Sequence, residues 1–139
     1  RSDEERRMNY AHPDVYRPFD QRLRAHRAEV MGVMAALRKK GARVAGYGAS
    51  VGSLTLLHFY GLAADLAVIY DDNPLQEALS TGVNEIAIRP SEEMYAGEVA
   101  DVLFLFAWRY ADPIQVRHAR FLSGGGRIFV PLPTPRWIG

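Results

Sequence analysis

The chain has 139 residues, 48% of them hydrophobic and 24% charged, which is the composition of a soluble globular protein with one core. Its formal net charge of +1 gives no reason to expect a nucleic acid or a membrane surface as a partner. It contains no cysteine, which excludes disulfides, thiol catalysis and thiolate metal sites and favours a reducing cytoplasm. We find no signal peptide and no apolar run long enough to span a bilayer. Because the chain starts at Arg1, we expect it to be a piece of a longer protein.

The N-terminal third is predicted to be mainly one helix. Residues 1–13 are polar and carry charges of both signs, which predicts a frayed lead-in to a single domain over residues 14–139. From about Pro18, apolar residues recur mostly at steps of three, four or seven, which predicts a long helix that ends at Gly41. The arginine-rich face of this helix, and His26 within it, are interpreted as solvated.

Residues 44–53 read V-A-G-Y-G-A-S-V-G-S, so a short apolar run enters a turn with three glycines. A predicted helix over about 51–60 follows, and strand, glycine turn and helix in this order open a nucleotide-binding βαβ unit. Glycines adopt backbone angles that other residues avoid and let a phosphate approach the main chain, where the helix offers N–H groups. The spacing is one residue longer than the dinucleotide fingerprint, and no P-loop lysine follows. A tight turn without a ligand therefore remains the alternative.

The rest of the chain alternates predicted strands and helices. The strands are predicted at 43–47, 66–70, 85–88, 102–106 and 127–130, with a loop at 75–85 and a helix start at 90–93. A last helix, capped by Asp112, runs to about Leu122, and the prolines after Val130 predict no further regular structure. This pattern predicts an α/β fold, a Rossmann-like three-layer αβα domain whose mainly parallel sheet has about five strands in the order 3-2-1-4-5.

In that strand order, the fourth strand ends beside the glycine turn, at the carboxyl edge where such folds bind ligands. Asp71 lies roughly 25 positions after Gly46, near where Rossmann domains place a carboxylate for ribose hydroxyls. The alternative is that the acidic pair only shapes a turn before Pro74. No nucleophile elbow and no metal-ligand spacing of histidines occurs, so we predict neither a catalytic residue nor a metal site. The predicted substrate-binding residues are Tyr47, Gly48, Ala49, Ser50, Gly52, Ser53, Asp71, Asp72, Trp108 and Tyr110.

Four short motifs in one order identify a family resemblance that covers roughly residues 15–135. They are G-Y-G-A-S at 46–50, D-D-N-P at 71–74, A-W-R-Y at 107–110 and G-G-R-I-F-V-P-L-P at 125–133. Together they resemble the C-terminal domain of sugar C-methyltransferases, enzymes that methylate a carbon of a nucleotide-linked deoxysugar. The sequence departs from the family pattern in two places. Val51 stands where the family usually has lysine, and the P-G-T that usually follows the second strand appears only as S-T-G at 80–82.

The resemblance implies an enzyme of three parts: a zinc-binding part, an S-adenosylmethionine domain and this Rossmann-like domain. The zinc and the S-adenosylmethionine are therefore expected in upstream domains, with no cofactor in this one, and the isolated chain is expected to be inactive. The implied partners are a dTDP-type nucleotide-linked sugar and the upstream methyltransferase domains. Two alternatives remain open: a module for another nucleotide of NAD or CoA type, and a non-catalytic structural or interaction domain.

Overall fold

The architecture comes from a computed structural model that describes residues 13–73, 86–97 and 99–139, with side chains from Asp20 onward. The helices are α1 (Pro13–Lys39), α2 (Val51–Phe59), α3 (Ala111–Arg117) and α4 (Ala119–Ser123), and short 3-10 helices span Ser91–Tyr95 and Trp108–Tyr110. The strands are β1 (Val44–Tyr47), β2 (Leu66–Tyr70), β3 (Ala87–Arg89), β4 (Val102–Leu105), β5 (Arg127–Val130) and β6 (Arg136–Ile138). None of the helices in these ranges is long and apolar enough to cross a membrane.

All six strands form one sheet in the order β3-β2-β1-β4-β5-β6. The first five are parallel, and their order confirms the predicted 3-2-1-4-5 arrangement. The chain winds outward from β1 in one direction to β2 and β3 and in the other to β4 and β5. The order therefore reverses between β1 and β4, and their carboxyl ends form the crevice in which open α/β sheets bind ligands.

The sheet is covered on both faces, and alternate residues of its strands point to opposite sides. On one face, Phe104 of β4 packs in a cluster with Val30 of α1 and Leu57 of α2. On the other face, the neighbouring Leu103 packs with Ile114 of α3 and Phe121 of α4. The described structure thus has the mixed α/β character that the sequence predicts.

The C-terminal part departs from the prediction in three places. A sixth strand, β6, pairs antiparallel with β5, because the prolines occupy only the connection and leave Trp137 to pack on Phe129. The predicted cap at Asp112 is wrong, since α3 starts at Ala111 and no side chain caps it. The predicted single helix is interrupted at His118, and α4 begins at the next residue.

The polar face of α1 is less solvated than predicted. His26 Nε2 lies 2.6 Å from the hydroxyl of Tyr60, and Arg27 donates a hydrogen bond to the carbonyl of Phe59. Arg38 forms two hydrogen bonds with Asp65, at 2.7 and 2.8 Å. These contacts attach α1 to α2 and to the segment before β2. Of the predicted lead-in at 1–13, only Pro13 is described, and it is the first residue of α1 rather than part of a frayed segment. The predicted loop at 75–85 and the S-T-G at 80–82 lie outside the described residues.

Candidate functional site

The glycine turn is built for a close approach of two strand ends. Gly48 has a backbone φ of +99°, and its N–H donates to the carbonyl of Tyr70 at 2.8 Å. A Cβ at this position would lie 2.6 Å from the Cβ of Ala107 and 2.9 Å from its backbone nitrogen. A side chain at Gly48 would therefore collide with the chain leaving β4.

The start of α2 is held by its own serines and by Asp71. Ser50 caps the helix, its Oγ accepting from the N–H of Ser53 at 3.2 Å, while the Ser53 hydroxyl donates to the Gly48 carbonyl at 2.6 Å. The N–H of Ala49 donates to Asp71 Oδ2 at 2.7 Å. The Ala49 N–H is therefore not available to a phosphate, because a protein carboxylate already binds it.

A first cavity of about 540 Å³ opens between this turn and the segment after β4. Asp71 lies on its wall, and the aromatic side chains of Trp108 and Tyr110 lie across from the turn. Tyr110 is 64% exposed, so this aromatic wall is accessible from solvent. The lining residues are Gly48, Ala49, Ser50, Gly52, Ser53, Thr55, Leu56, Asp71, Phe106, Ala107, Trp108, Arg109 and Tyr110.

Arg109 is a cavity residue that the sequence reasoning did not select. Its guanidinium lies 4.9 Å from the centre of the Trp108 ring, a cation–π contact that places a positive charge at the cavity wall. The sequence could have indicated Arg109 as a binding residue, because it is the first cationic residue after β4, at the edge of the sheet where such folds bind ligands.

A second cavity of about 510 Å³ adjoins the first and shares Gly48, Asp71, Ala107 and Tyr110 with it. It lies toward α3 rather than α2, and its walls carry both charges and apolar surface. The residues that line the second cavity alone are Tyr47, Asp72, Asn73, Pro113, Ile114 and Arg117.

Asp72 is the most heavily engaged side chain of the second cavity. Its Oδ1 accepts from the N–H of Ser91 at 2.7 Å, and its Oδ2 accepts from the Ser91 hydroxyl at 2.6 Å and from Arg117 at 2.7 Å. Partial burial alone would raise the pKa of Asp72, but the Ser91 hydrogen bonds and the Arg117 charge outweigh burial and lower it. The carboxylate is thus held ionised by Ser91, from the 3-10 helix Ser91–Tyr95, and by Arg117 of α3.

His118 lies behind this wall, 4% exposed, between two tyrosine hydroxyls. Its Nε2 is 2.8 Å from the hydroxyl of Tyr47, and its Nδ1 is 2.8 Å from that of Tyr95. Burial lowers the pKa of His118, the Arg117 charge lowers it further, and Asp72 opposes both. Burial also raises the pKa of Tyr47. The sequence reasoning missed Ser91, Tyr95, Arg117 and His118, because no local motif links residues that come from separate elements.

The ten predicted site residues come together at the two cavities. Those that line the first cavity alone are Ala49, Ser50, Gly52, Ser53 and Trp108. Those that line the second alone are Tyr47 and Asp72, and those shared by both are Gly48, Asp71 and Tyr110. Across the described ranges, no group of three or more His, Asp or Glu side chains is arranged to hold a metal ion.

Two comparisons with known proteins bear on this site. A family model described as the C-methyltransferase C-terminal domain matches residues 1–133. Over 136 residues, the sequence is 35% identical to the C-methyltransferase NovU of Streptomyces niveus, an alignment that covers 97% of this chain and 32% of that protein. The chain thus spans about a third of the length of this curated relative.

Proposed function

The chain belongs to the family of C-methyltransferase C-terminal domains, and from this membership we propose that it binds the nucleotide-linked sugar of a larger S-adenosylmethionine-dependent C-methyltransferase. In this proposal the domain contributes substrate binding and no catalytic group, while the methyl donor and the zinc belong to upstream domains. A dTDP-linked sugar is the substrate class that we assign to it. The cytoplasmic location that the cysteine-free sequence favours stays a prediction.

The observation that carries the proposal is the pair of adjoining cavities at the carboxyl ends of β1 and β4. Open α/β sheets bind ligands at this reversal of strand order. The cavities share the Gly48, Asp71 and Tyr110 boundary, so an elongated ligand of two parts has room to lie across both. A nucleotide joined to a sugar has that form.

Charge decides how such a ligand would lie. Asp71 binds the N–H of Ala49, and a phosphate placed there would meet a carboxylate of the same sign. The N–H groups of Val51 and Gly52 have no such partner among the described residues, and Arg109 supplies a positive charge on the same cavity. We therefore assign the phosphates to the side of α2 and Arg109. A sugar hydroxyl is assigned to Asp71, and the Trp108 ring is assigned to stacking against the base.

A second candidate is a structural or interaction domain without a ligand of its own. It is favoured by Val51, which is 83% exposed, lines neither cavity and carries no charge for a phosphate. The hydrogen bond from the Ala49 N–H to Asp71 also favours the second candidate, because this bond satisfies a donor of the turn without any ligand. The two functions differ in whether the chain binds a dTDP-linked sugar at all.

Two matched glycine variants test the proposal. A Cβ at Gly52 would meet no atom closer than Ser50 Oγ at 3.6 Å, so Gly52→Leu fits the backbone and places its side chain at the first cavity. Gly32 lies on α1 with nothing within 4 Å, and Gly32→Leu makes the same change far from the cavity. Titration calorimetry with a dTDP-linked 4-keto sugar is expected to show binding by the wild type and Gly32→Leu. For Gly52→Leu we expect a loss of affinity of about tenfold or more, which corresponds to about 1.4 kcal/mol.

Equal affinity of the two variants would indicate that the ligand does not bind in the first cavity. Absence of binding by the wild type would favour the structural domain. With labelled S-adenosylmethionine and the same sugar, the isolated chain is expected to transfer no label, and sustained turnover would contradict the division of roles between domains.

A further inference from the structure

The buried contacts around His118 extend the proposed function to residues that do not touch the ligand. We propose that His118 is a positioning residue, fixed as the Nε2–H tautomer between Tyr95 and Tyr47, which aims the Tyr47 hydroxyl at the wall of the second cavity. The link to ligand affinity rests on the proposed function, whereas the tautomer itself does not.

The direction of the hydrogen bonds follows from the inventory of donors and acceptors. A neutral imidazole has one N–H donor and one bare nitrogen that accepts. The Tyr47 hydroxyl also faces Asp72 Oδ2 at 3.4 Å and the Ser91 hydroxyl. The ionised carboxylate only accepts, and the Ser91 proton is already donated to it at 2.6 Å. Tyr47 therefore donates to Asp72 and accepts from His118 Nε2–H, which leaves Nδ1 to accept from the Tyr95 hydroxyl. With a neutral ring, reversing any one of these bonds would leave two donors or two acceptors facing each other.

The charges around His118 favour the neutral ring. Arg117 of α3 lies on one side, and the guanidinium of Arg120 on α4 lies 4.3 Å from the centre of the Tyr95 ring. The Asp72 carboxylate is linked to His118 through Tyr47 and opposes the effect of Arg117. Burial is the largest cause of the lowered pKa of His118, and the charge of Arg117 lowers it further. A fixed neutral tautomer is the state that this arrangement stabilises.

Tyr95 provides the sharpest test because it lies away from both site cavities. It lines a separate depression with Arg43, Asp101 and Arg120, at the opposite end of the strands. Its hydroxyl is linked to the second cavity by the contacts with His118 and, from there, with Tyr47. Tyr95→Phe removes that hydroxyl and keeps the ring, so a change in ligand affinity that accompanies a change of the His118 tautomer reports this link.

The chain offers a matched control on the other face of the sheet. The hydroxyl of Tyr60, a residue only 1% exposed, lies 2.6 Å from Nε2 of His26. Tyr60→Phe removes a hydroxyl from the same kind of tyrosine–histidine contact, but neither residue lines the two cavities. Its effect reports the general cost of losing such a contact.

The experiment combines a spectrum of the ring nitrogens with calorimetry. In chain labelled with ¹⁵N at histidine, long-range ¹H–¹⁵N spectra are expected to show His118 as the Nε2–H tautomer. Tyr95→Phe should mix the two tautomers and weaken binding of the dTDP-linked sugar about two- to tenfold, the effect of one neutral hydrogen bond. Tyr60→Phe should change neither the His118 signals nor the affinity.

Two results would overturn the inference: an Nδ1–H tautomer in the wild type, or unchanged affinity when Tyr95→Phe mixes the tautomers. If the wild type binds no dTDP-linked sugar, the proposed function fails and the positioning of Tyr47 for a ligand fails with it. The spectrum would then still decide whether His118 is fixed as inferred.

Discussion

The two adjoining cavities are built in different ways, and the neighbouring carboxylates of Asp71 and Asp72 mark the difference. Asp71 accepts from backbone N–H groups, those of Ala49 and Asn73, and so supports the glycine turn of the first cavity. Asp72 instead joins side chains of a 3-10 helix and α3 at the second cavity, where Ser91 and Arg117 bind it. The first cavity is thus shaped mainly by backbone, and the second by a network of side chains.

This difference predicts that the two cavities respond to different perturbations. The first should be sensitive to the backbone angles and to any side chain added at the turn. The second should be sensitive to charge and to pH, because its wall consists of ionised and hydrogen-bonded groups.

The largest expected effect is that of Gly48→Val. The φ of +99° would cost about 1–3 kcal/mol of strain. The clash with Ala107 would add about 1–3 kcal/mol, since a close-packed interior relaxes only in part. Urea unfolding measures the loss of stability, and binding of the dTDP-linked sugar should fall with it.

The control is Gly52→Val, which has room for its side chain and should cost less than about 1 kcal/mol. Equal losses for the two variants would contradict a special backbone role for Gly48.

The carboxylates allow a direct comparison by Asp72→Asn and Asp71→Asn. An asparagine at 72 would turn an NH₂ group toward donors on Ser91 or Arg117, at a cost of about 1.5–3 kcal/mol for hydrogen bonds to a charged group. Asp71→Asn loses one backbone acceptor at the turn and should cost about 1 kcal/mol. Only Asp72→Asn should lower the pKa of His118 further, because it removes the carboxylate that opposes the lowering. A shift of His118 in both variants would show that the two networks are one.

Much of the first cavity could be predicted from the sequence because its residues are close along the chain. Gly48, Ser50 and Ser53 follow one another through the strand–turn–helix pattern, and the strand order then places Trp108 opposite them. The apolar runs and the turn residues determine that order through the rules for right-handed crossovers.

The second cavity could not be predicted in the same way. Tyr47 and His118 are 71 positions apart, and Asp72 and Ser91 are 19 apart, so no spacing rule links them. Asp71 binds the Ala49 N–H because the chain after β2 and the glycine turn after β1 lie close together. No residue pattern in the sequence indicates that distance. The extra strand β6 was missed for a related reason, since the prolines before it indicate a break in regular structure but not the short strand beyond that break.

Acid should act on the second cavity more than on the first, because the buried His118 contacts Tyr47, a residue that lines the second cavity alone. His118 has a folded-state pKa below its ordinary value of about 6.5. Between these two pH values the unfolded chain therefore binds more protons than the folded chain. The stability that comes from the neutral His118 is complete above about pH 6.5 and is lost as the pH falls toward the lowered pKa. Because a single proton is involved, the free energy of unfolding falls by at most about 1.4 kcal/mol per pH unit.

Thermal unfolding of the wild type and of His118→Gln between pH 7.5 and 5.5 checks this expectation. The melting temperature of the wild type should fall more steeply than that of the variant. Parallel curves would mean that His118 does not carry the acid sensitivity.

The smallest effect is expected from Val51→Lys. Val51 is the first residue of α2 and is exposed, so a lysine there restores the family's positive charge at the cost of some tenths of a kcal/mol from the helix dipole. A contact with phosphate at the surface should contribute about 0.2–1 kcal/mol, which raises affinity at most about fivefold at low salt. Calorimetry with Val51→Met as the uncharged control measures it. Unchanged affinity would place the phosphate away from the start of α2.

The most direct test of the central claim is a map of where a dTDP-linked sugar contacts the chain, made by titrating it into ¹⁵N-labelled protein and following the backbone amides. We expect the largest shifts at Gly48, Ser50 and Gly52 and at the indole N–H of Trp108. We expect almost none at Asp101 and Gly125, at the opposite end of the strands. Shifts centred on those last two residues, or none at all, would contradict the claim that this domain binds the nucleotide-linked sugar at the carboxyl ends of β1 and β4.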